Sequence, residues 1–119
     1  WLGTWREARV TEPLGFLDFL ALERAARKIV TDSGGVQREA FLLGRPCVTV
    51  YATTPWVETV EHGWNSVVGT DPDAILAAIR RPGPTGPRGD AFGDGRASRR
   101  IVEILSAAFE QGCAHPRDR

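Results

Sequence analysis

Val36, Ala40 and Leu43 fall at i, i+4 and i+7, the stripe of a helix packed on a sheet. The run before them, Lys28-Ile29-Val30-Thr31, is apolar and β-branched and reads as the end of a buried strand. Gly44 is a good C-terminal stop for the helix. Arg45-Pro46 then leads into a second apolar run, Cys47 to Tyr51. Upstream, Leu17, Leu20, Ala21 and Ala25 mark an amphipathic helix ending near Arg27. It follows a turn at Leu14-Gly15-Phe16 and a short strand from Arg9 to Pro13, which the proline stops.

Downstream, Thr54 and Pro55 carry the signature of a helix start, a capping threonine with proline at the first helical position. That predicts a short helix from Trp56 to His62, closed by Gly63, and a brief strand at Ser66 to Gly69. Asp71-Pro72 caps and starts another helix with Ile75, Leu76 and Ile79 on its apolar side. Four strands alternating with helices at short spacing predict an α/β chain, a doubly wound parallel sheet with crossover helices. Between Arg81 and Gly89 stand three prolines and three glycines in nine residues, which interrupt any helix or central strand. A final helix follows, with Asp94 as N-cap and Ala97, Ile101, Ile104, Leu105 and Ala108 as its stripe. The predicted organisation is an α/β portion over 1–81, a linker over 82–95, and a helix and tail over 96–119.

At 119 residues the chain holds one domain with a modest core. Apolar content of 42% and charged content of 25% are those of a soluble globular protein. Fifteen basic residues balance fifteen acidic ones, so there is no basic field to attract nucleic acid or an anionic membrane. The longest apolar runs are too short to span a bilayer. Trp1 to Arg6 lacks the layout of a signal peptide. The chain has no methionine, and a processed, trimmed or excised piece is the expectation. Cys47 is expected to be small and buried in a strand, and Cys113 to lie in a polar tail. Two lone cysteines make no disulfide framework, which favours a reducing, cytoplasmic setting. Cys113 and His115 lack a second pair to complete a metal site.

The chemistry concentrates at Thr31-Asp32-Ser33-Gly34-Gly35-Val36-Gln37-Arg38-Glu39. A strand that enters a glycine turn and then a helix aims free backbone N–H groups and the positive end of the helix dipole at one spot, which suits a phosphate. Gly34 and Gly35 let a ligand approach the backbone, and Ser33 adds a hydroxyl. Glu39, about a turn and a half into the helix, can reach a sugar hydroxyl. The plain alternative is a turn whose Ser, Asp and Gly merely cap the helix. The stretch is neither G-x-G-x-x-G nor a Walker A loop.

Five stretches in order extend this reading: Glu12 to Phe19, Thr31 to Ala40, Leu43 to Pro46, Thr53 to Val60, and Gly93 to Ala97. Together they resemble the C-terminal domain of the non-hydrolysing UDP-N-acetylglucosamine 2-epimerases, over roughly residues 9–109. The resemblance implies the Rossmann-like C-terminal half of a two-domain GT-B fold, with a C-terminal crossing helix. It implies conversion of UDP-GlcNAc to UDP-ManNAc by elimination and re-addition of UDP, with no metal or redox cofactor. Ser33, Gly34 and Gly35 would bind the diphosphate, Glu39 the ribose, and Phe19 and Leu14 would sit on the uracil side. Glu58 and Thr54 would lie near the cleft. No catalytic residue is expected in this chain, since the acid and base belong to the N-terminal domain, so the chain alone would be inactive. Its partners would be the sugar nucleotides, the missing domain or a complementary chain, and a second copy through an exposed sheet edge.

The chain departs from the family pattern in four places. Tyr51 and Ala52 stand where an arginine and an acidic or amide residue are usual. Leu14 replaces a glutamine of some members, and Arg38 replaces a glutamate and is expected to be exposed and of little consequence. Asp32 reads as a turn residue, because a carboxylate would repel a diphosphate. Glu58 and Glu61 read equally as a solvated pair or, for Glu58, a cleft residue. His62 reads as a capping residue, Trp56 and Trp64 as packing, and Arg96, Arg99 and Arg100 as a solvated face or a partner surface. Two other functions are consistent with the motifs: a non-catalytic nucleotide-binding or interaction module, and the nucleotide half of a GT-B glycosyltransferase.

Overall fold

The structure, a computed structural model, describes residues 8–112; Trp1, Trp5, Cys113 and His115 lie outside them. In chain order the elements are α1 (Phe16–Ala25), β1 (Ile29–Thr31), α2 (Gly34–Leu43), β2 (Cys47–Thr49), α3 (Val57–Glu61), β3 (Asn65–Val67), α4 (Pro72–Arg80) and α5 (Ala97–Gly112). The strands form one parallel sheet in the order β1-β2-β3. Ile29 pairs with Cys47 and Thr31 with Thr49, and Cys47 pairs with Asn65 and Thr49 with Val67. Thr31 and Thr49 therefore end side by side. The turn after β1 and the loop after β2 emerge on the same edge, the carboxyl edge where ligands of parallel α/β sheets sit.

β2 is the centre of the core, with Cys47, Val48 and Thr49 all buried. Its burial on both sides explains the unbroken apolar run in the sequence. α2 and α4 both pack against it. α2 presents Ala40 and Phe41 to the interior, with Gln37 buried beside them, and ends as expected at Gly44, whose φ of 65° is left-handed. Arg45 N–H donates to the Ala40 carbonyl over 2.8 Å, the wrap that a glycine in this conformation permits. α4 is held at both ends. The Asp71 carboxylate accepts from Asp73 N–H at 3.0 Å, with Pro72 at the first turn. The Lys28 ammonium donates to the carbonyls of Ala78 at 2.8 Å, Ile79 at 2.9 Å and Arg81 at 2.6 Å.

Several expectations are corrected. Arg9 to Pro13 forms no strand, so the sheet has three strands rather than four. Among the described residues no strand pairs with the outer edge of β1, and the stretch, ended by Pro13, does not take that place. The buried face of α1 centres on Glu23, flanked by half-buried Phe19, Leu20 and Ala26, while Leu17, Ala21 and Ala25 are exposed. Apolar residues run round most of this helix, and packing against α2 selects the face. The short helix begins at Val57 with Trp56 as its N-cap, one residue later than expected; the Thr54 hydroxyl accepts from Trp56 N–H and donates to Gln37, which holds the turn ahead of the helix. On α4, Ala78 is buried whereas Leu76 and Ile79 are partly exposed.

The chain divides into two units between Gly89 and Asp90. In the first, the Pro/Gly-rich segment lies against α2: Arg88 donates to the Phe41 carbonyl over 3.1 Å, and a Cβ on Gly83 would come within 2.8 Å of Pro46. In the second, Asp94 accepts from Arg96 N–H at 3.1 Å and from the Arg100 guanidinium at 3.0 Å. It thus fixes the turn before α5. Arg99 pairs with Glu103 one turn on. Ile101, Ile104, Leu105 and Phe109 of α5 are exposed.

Candidate functional site

Ser33 is the N-cap residue of α2 in extended conformation, and its side chain makes no capping hydrogen bond. Its backbone N–H donates to Thr31 Oγ1 over 3.0 Å, and its carbonyl accepts the first helical bond, from Gln37 N–H at 3.1 Å. The turn is thus fixed by Thr31, and among the described residues no side chain caps the N–H groups that open α2. No acidic residue lies in the first turn of α2. This is the state of a helix start that can receive an anion, since an unfilled N-terminus carries about half a positive charge.

The two glycines differ. A Cβ on Gly34 would stand 3.4 Å from Trp56 Nε1 and 3.6 Å from Pro55 Cγ. Gly34 is therefore where the loop after β2 leans on the turn. On Gly35 a Cβ would meet the Ser33 hydroxyl at 3.8 Å and is otherwise open. Thr54 joins the same assembly: its hydroxyl donates to Gln37 Oε1 over 2.6 Å and accepts from Trp56 N–H at 3.0 Å. The Arg38 guanidinium lies 4.8 Å from the Trp56 ring centroid. Arg38 is exposed as expected, but it is not inconsequential, for it stacks on the loop.

Behind the loop runs a buried polar network that sequence reasoning missed. Thr49 Oγ1 donates to Asn65 Oδ1 at 2.8 Å. Asn65 Nδ2 donates to Thr59 Oγ1 at 3.1 Å and to Gln37 Oε1 at 3.3 Å. Thr59 Oγ1 donates to the Trp56 carbonyl at 2.7 Å. Gln37, Thr49, Thr59 and Asn65 are all buried. The available signal was positional: Gln37 precedes the buried Ala40 and Phe41 by three and four residues, on the same helix face.

Glu39 is half-buried on α2, and Phe19 is half-buried on α1, while Leu14 is exposed ahead of α1. The geometry joins Ser33–Gly35 to Thr54–Trp56; Phe19 lies on α1, which packs against α2. Glu23, on the buried face of α1, has no hydrogen-bond partner for either carboxylate oxygen. Burial, and then the charge of Glu39, raises its pKa above the ordinary 4.5. Glu58 is half-buried, with Oε2 enclosed and unpartnered. Glu61 lines a groove of about 440 Å³ with Thr53, Thr54, Val57, Val60 and Val67. His62 ends α3 as its C-cap, with Nδ1 2.8 Å from the Glu58 carbonyl and its ring edge-on to Phe41. Tyr51 is exposed. Among the described residues, no His, Cys, Asp or Glu side chains cluster to hold a metal ion. No helix there is long and apolar enough to cross a membrane.

Residues 2–106 match the family model described as UDP-N-acetylglucosamine 2-epimerase. A UDP-N-acetylglucosamine 2-epimerase homolog of Methanococcus maripaludis is 46% identical over 98 residues, covering 82% of this chain and 28% of that protein. A UDP-2,3-diacetamido-2,3-dideoxy-D-glucuronate 2-epimerase of Pseudomonas aeruginosa is 43% identical over 107 residues, covering 88% and 30%. The solved structure of the Methanocaldococcus jannaschii UDP-GlcNAc 2-epimerase in complex with UDP-GlcNAc and UDP is 40% identical. It superposes with a TM-score of 0.77 over 89% of this chain and 30% of that one. The chain thus spans under a third of the length of these relatives. The strand–glycine turn–helix, the three-stranded parallel sheet and these matches lead to one conclusion: the chain belongs to the UDP-N-acetylglucosamine 2-epimerase family.

Proposed function

We propose that the chain is the UDP-binding portion of a UDP-GlcNAc 2-epimerase. The observation that carries the reading is the N-terminus of α2, whose N-cap side chain makes no capping bond, on the carboxyl edge of a parallel sheet in a chain of this family. Backbone N–H groups at Gly34 and Gly35, with the Ser33 hydroxyl, hold the diphosphate. Glu39 accepts from the ribose hydroxyls, and Phe19 and Leu14 flank the uracil. Thr54 and Glu58 face the sugar cleft.

In the reaction, a proton leaves C2 of the sugar, the C1–O bond breaks and UDP departs. UDP then re-adds to the glucal as C2 is protonated on the other face. The contribution of these residues is to bind the leaving group and to stabilise negative charge as it grows on the phosphate, which a helix N-terminus does without reorganising. The proton-transfer groups come from the complementary domain, so the chain alone is inactive, and no metal or redox cofactor is required. UDP is common to the names of the relatives, whereas the sugar is not: the Pseudomonas aeruginosa enzyme is named for a diacetamido-glucuronate. The nucleotide is thus the part of the substrate that the relatives' names share.

A calorimetric titration with UDP tests it, with Ser33→Ala and Glu39→Ala beside the parent chain. The expected affinity is micromolar to millimolar, about −8 to −4 kcal/mol, weakened in both variants. Absence of binding, or binding that neither variant alters, would overturn the assignment.

A further inference from the structure

We propose that Gln37 is a positioning residue for the nucleotide site: its side-chain oxygen fixes the Thr53–Trp56 loop against the glycine turn, giving UDP one preformed rim. The proposal rests on the reading of that turn as a UDP cradle.

Gln37 belongs to the turn and to the network at once. Its backbone N–H donates to the Ser33 carbonyl, while its side chain, 1% exposed, takes donors from two other segments. The proton directions follow from a single carbonyl. Thr59 has one hydroxyl proton, and it goes to the Trp56 carbonyl. Thr59 can then only accept from Asn65, so the amide nitrogen of Asn65 faces it and the Asn65 oxygen faces Thr49. That nitrogen also reaches Gln37, which must present its oxygen. Thr54, meeting the same oxygen at 2.6 Å, must be the donor, and its lone pairs are left for Trp56 N–H. Each group has one role, and the loop has one position. That position puts Pro55 and Trp56 against Gly34, at the mouth of α2.

Packing alone does not call for this arrangement. A leucine would fill the volume of Gln37 without the cost of burying an amide. A polar network with every hydrogen bond directed specifies a geometry that apolar contacts leave loose, and here the specified element is the loop beside the uncapped helix start.

The test uses the 119-residue chain with Gln37→Leu, Gln37→Glu and Thr54→Val. Thr54→Val removes the same bond from the loop side and serves if Gln37→Leu fails to fold; because it also removes the acceptor of Trp56 N–H, it is read by UDP affinity alone, and an unaltered affinity there would overturn the link to the site. Amide hydrogen exchange without ligand is measured at Trp56, with the α2 amide of Phe41 as an internal control; UDP affinity is measured by calorimetry. In Gln37→Leu, Trp56 exchange is expected to accelerate and the UDP dissociation constant to rise, each about tenfold, with Phe41 unchanged. Gln37→Glu, which still accepts from Thr54 and Asn65, should recover part of both. Unchanged exchange at Trp56 would overturn the positioning role whether or not UDP binds. A loosened loop with unaltered UDP affinity would overturn the link to the site. A parent chain that binds no UDP would overturn the cradle reading itself, and with it this role in nucleotide binding.

Discussion

Arg38 holds its guanidinium 4.8 Å from the centre of the Trp56 ring, so α2 grips the loop after β2 from the solvent side as Gln37 does from the interior. An exposed cation–π contact is worth about 0.5–1 kcal/mol. Arg38→Ala is expected to lower stability by that amount in chemical denaturation. Combined with Trp56→Leu, it should add nothing further. Full additivity would mean that the contact contributes nothing.

The two glycines of the turn should separate fold from ligand. Gly34→Val presses on Trp56 and Pro55 and is expected to cost about 1–3 kcal/mol by overpacking. Gly35→Ala meets only the Ser33 hydroxyl at 3.8 Å and should leave the melting temperature level or higher, since alanine favours helix. Its Cβ nevertheless stands at the helix mouth, so its UDP affinity should fall. Equal affinity in Gly35→Ala and the parent would show that the ligand does not approach there.

Glu23 makes stability depend on pH. Its folded-state pKa lies above the ordinary 4.5 because of burial and then Glu39. Between the two values the folded chain keeps a proton that the unfolded chain has lost, so stability falls as pH rises through that window. Glu23→Met removes the unpartnered carboxyl and should stabilise the fold at about pH 7.5 by about 1–3 kcal/mol. The gain should shrink as the pH falls towards 4.5. Melting curves across this range decide it; a gain independent of pH would refute the linkage.

Cys47 should be chemically silent in the folded chain. Burial pushes its thiol up to about 11, with Glu23 adding to the rise against a hydrogen bond with Thr49, and only the thiolate reacts readily. In a Cys113→Ser background, labelling of Cys47 by a maleimide should follow the rate of unfolding. Fast labelling under native conditions would contradict the buried setting.

The ends of α4 offer a fourth stability test, separate from the site. Lys28→Met removes three charge-assisted hydrogen bonds to the last carbonyls of the helix and should cost about 1.5–3 kcal/mol. Asp71→Ala removes the N-cap and should cost about 1 kcal/mol. Thermal melts of the two variants and the double variant measure both. A Lys28→Met loss no larger than that of Asp71→Ala would mean that the ammonium is only loosely held.

What was legible in the sequence is what neighbouring residues encode. The run into Ser33, the glycines and the stripe through Ala40 mark strand, turn and helix without outside help, and Asp71-Pro72 and Gly44 mark their helix ends. The strand proposed at Arg9 to Pro13 failed because a strand needs a partner, and local composition does not say whether one lies alongside. Threonine before proline marks a helix start, and the Thr54 hydroxyl does accept from Trp56 N–H; what local sequence does not show is that its proton turns inward to Gln37. Of the network, only the place of Gln37 on the buried face of α2 is written in local sequence. Gln37, Thr49, Thr59 and Asn65 are residue types assigned to the surface, and they are buried because they pair with one another across separations of up to 28 residues. Arg38 was misjudged for the same reason: its partner ring lies in another segment.

The strands stand in space in the order in which they occur in the chain, each separated from the next by one helix. Among the described residues no strand has to be inserted between two already paired, so β2 and then β3 each add beside the strand that precedes it in the chain. Such an order keeps the separations between contacting segments short for a parallel sheet, the feature that favours rapid folding. It also makes β2, the strand paired on both sides among the described residues, the one whose position both neighbouring crossovers must respect.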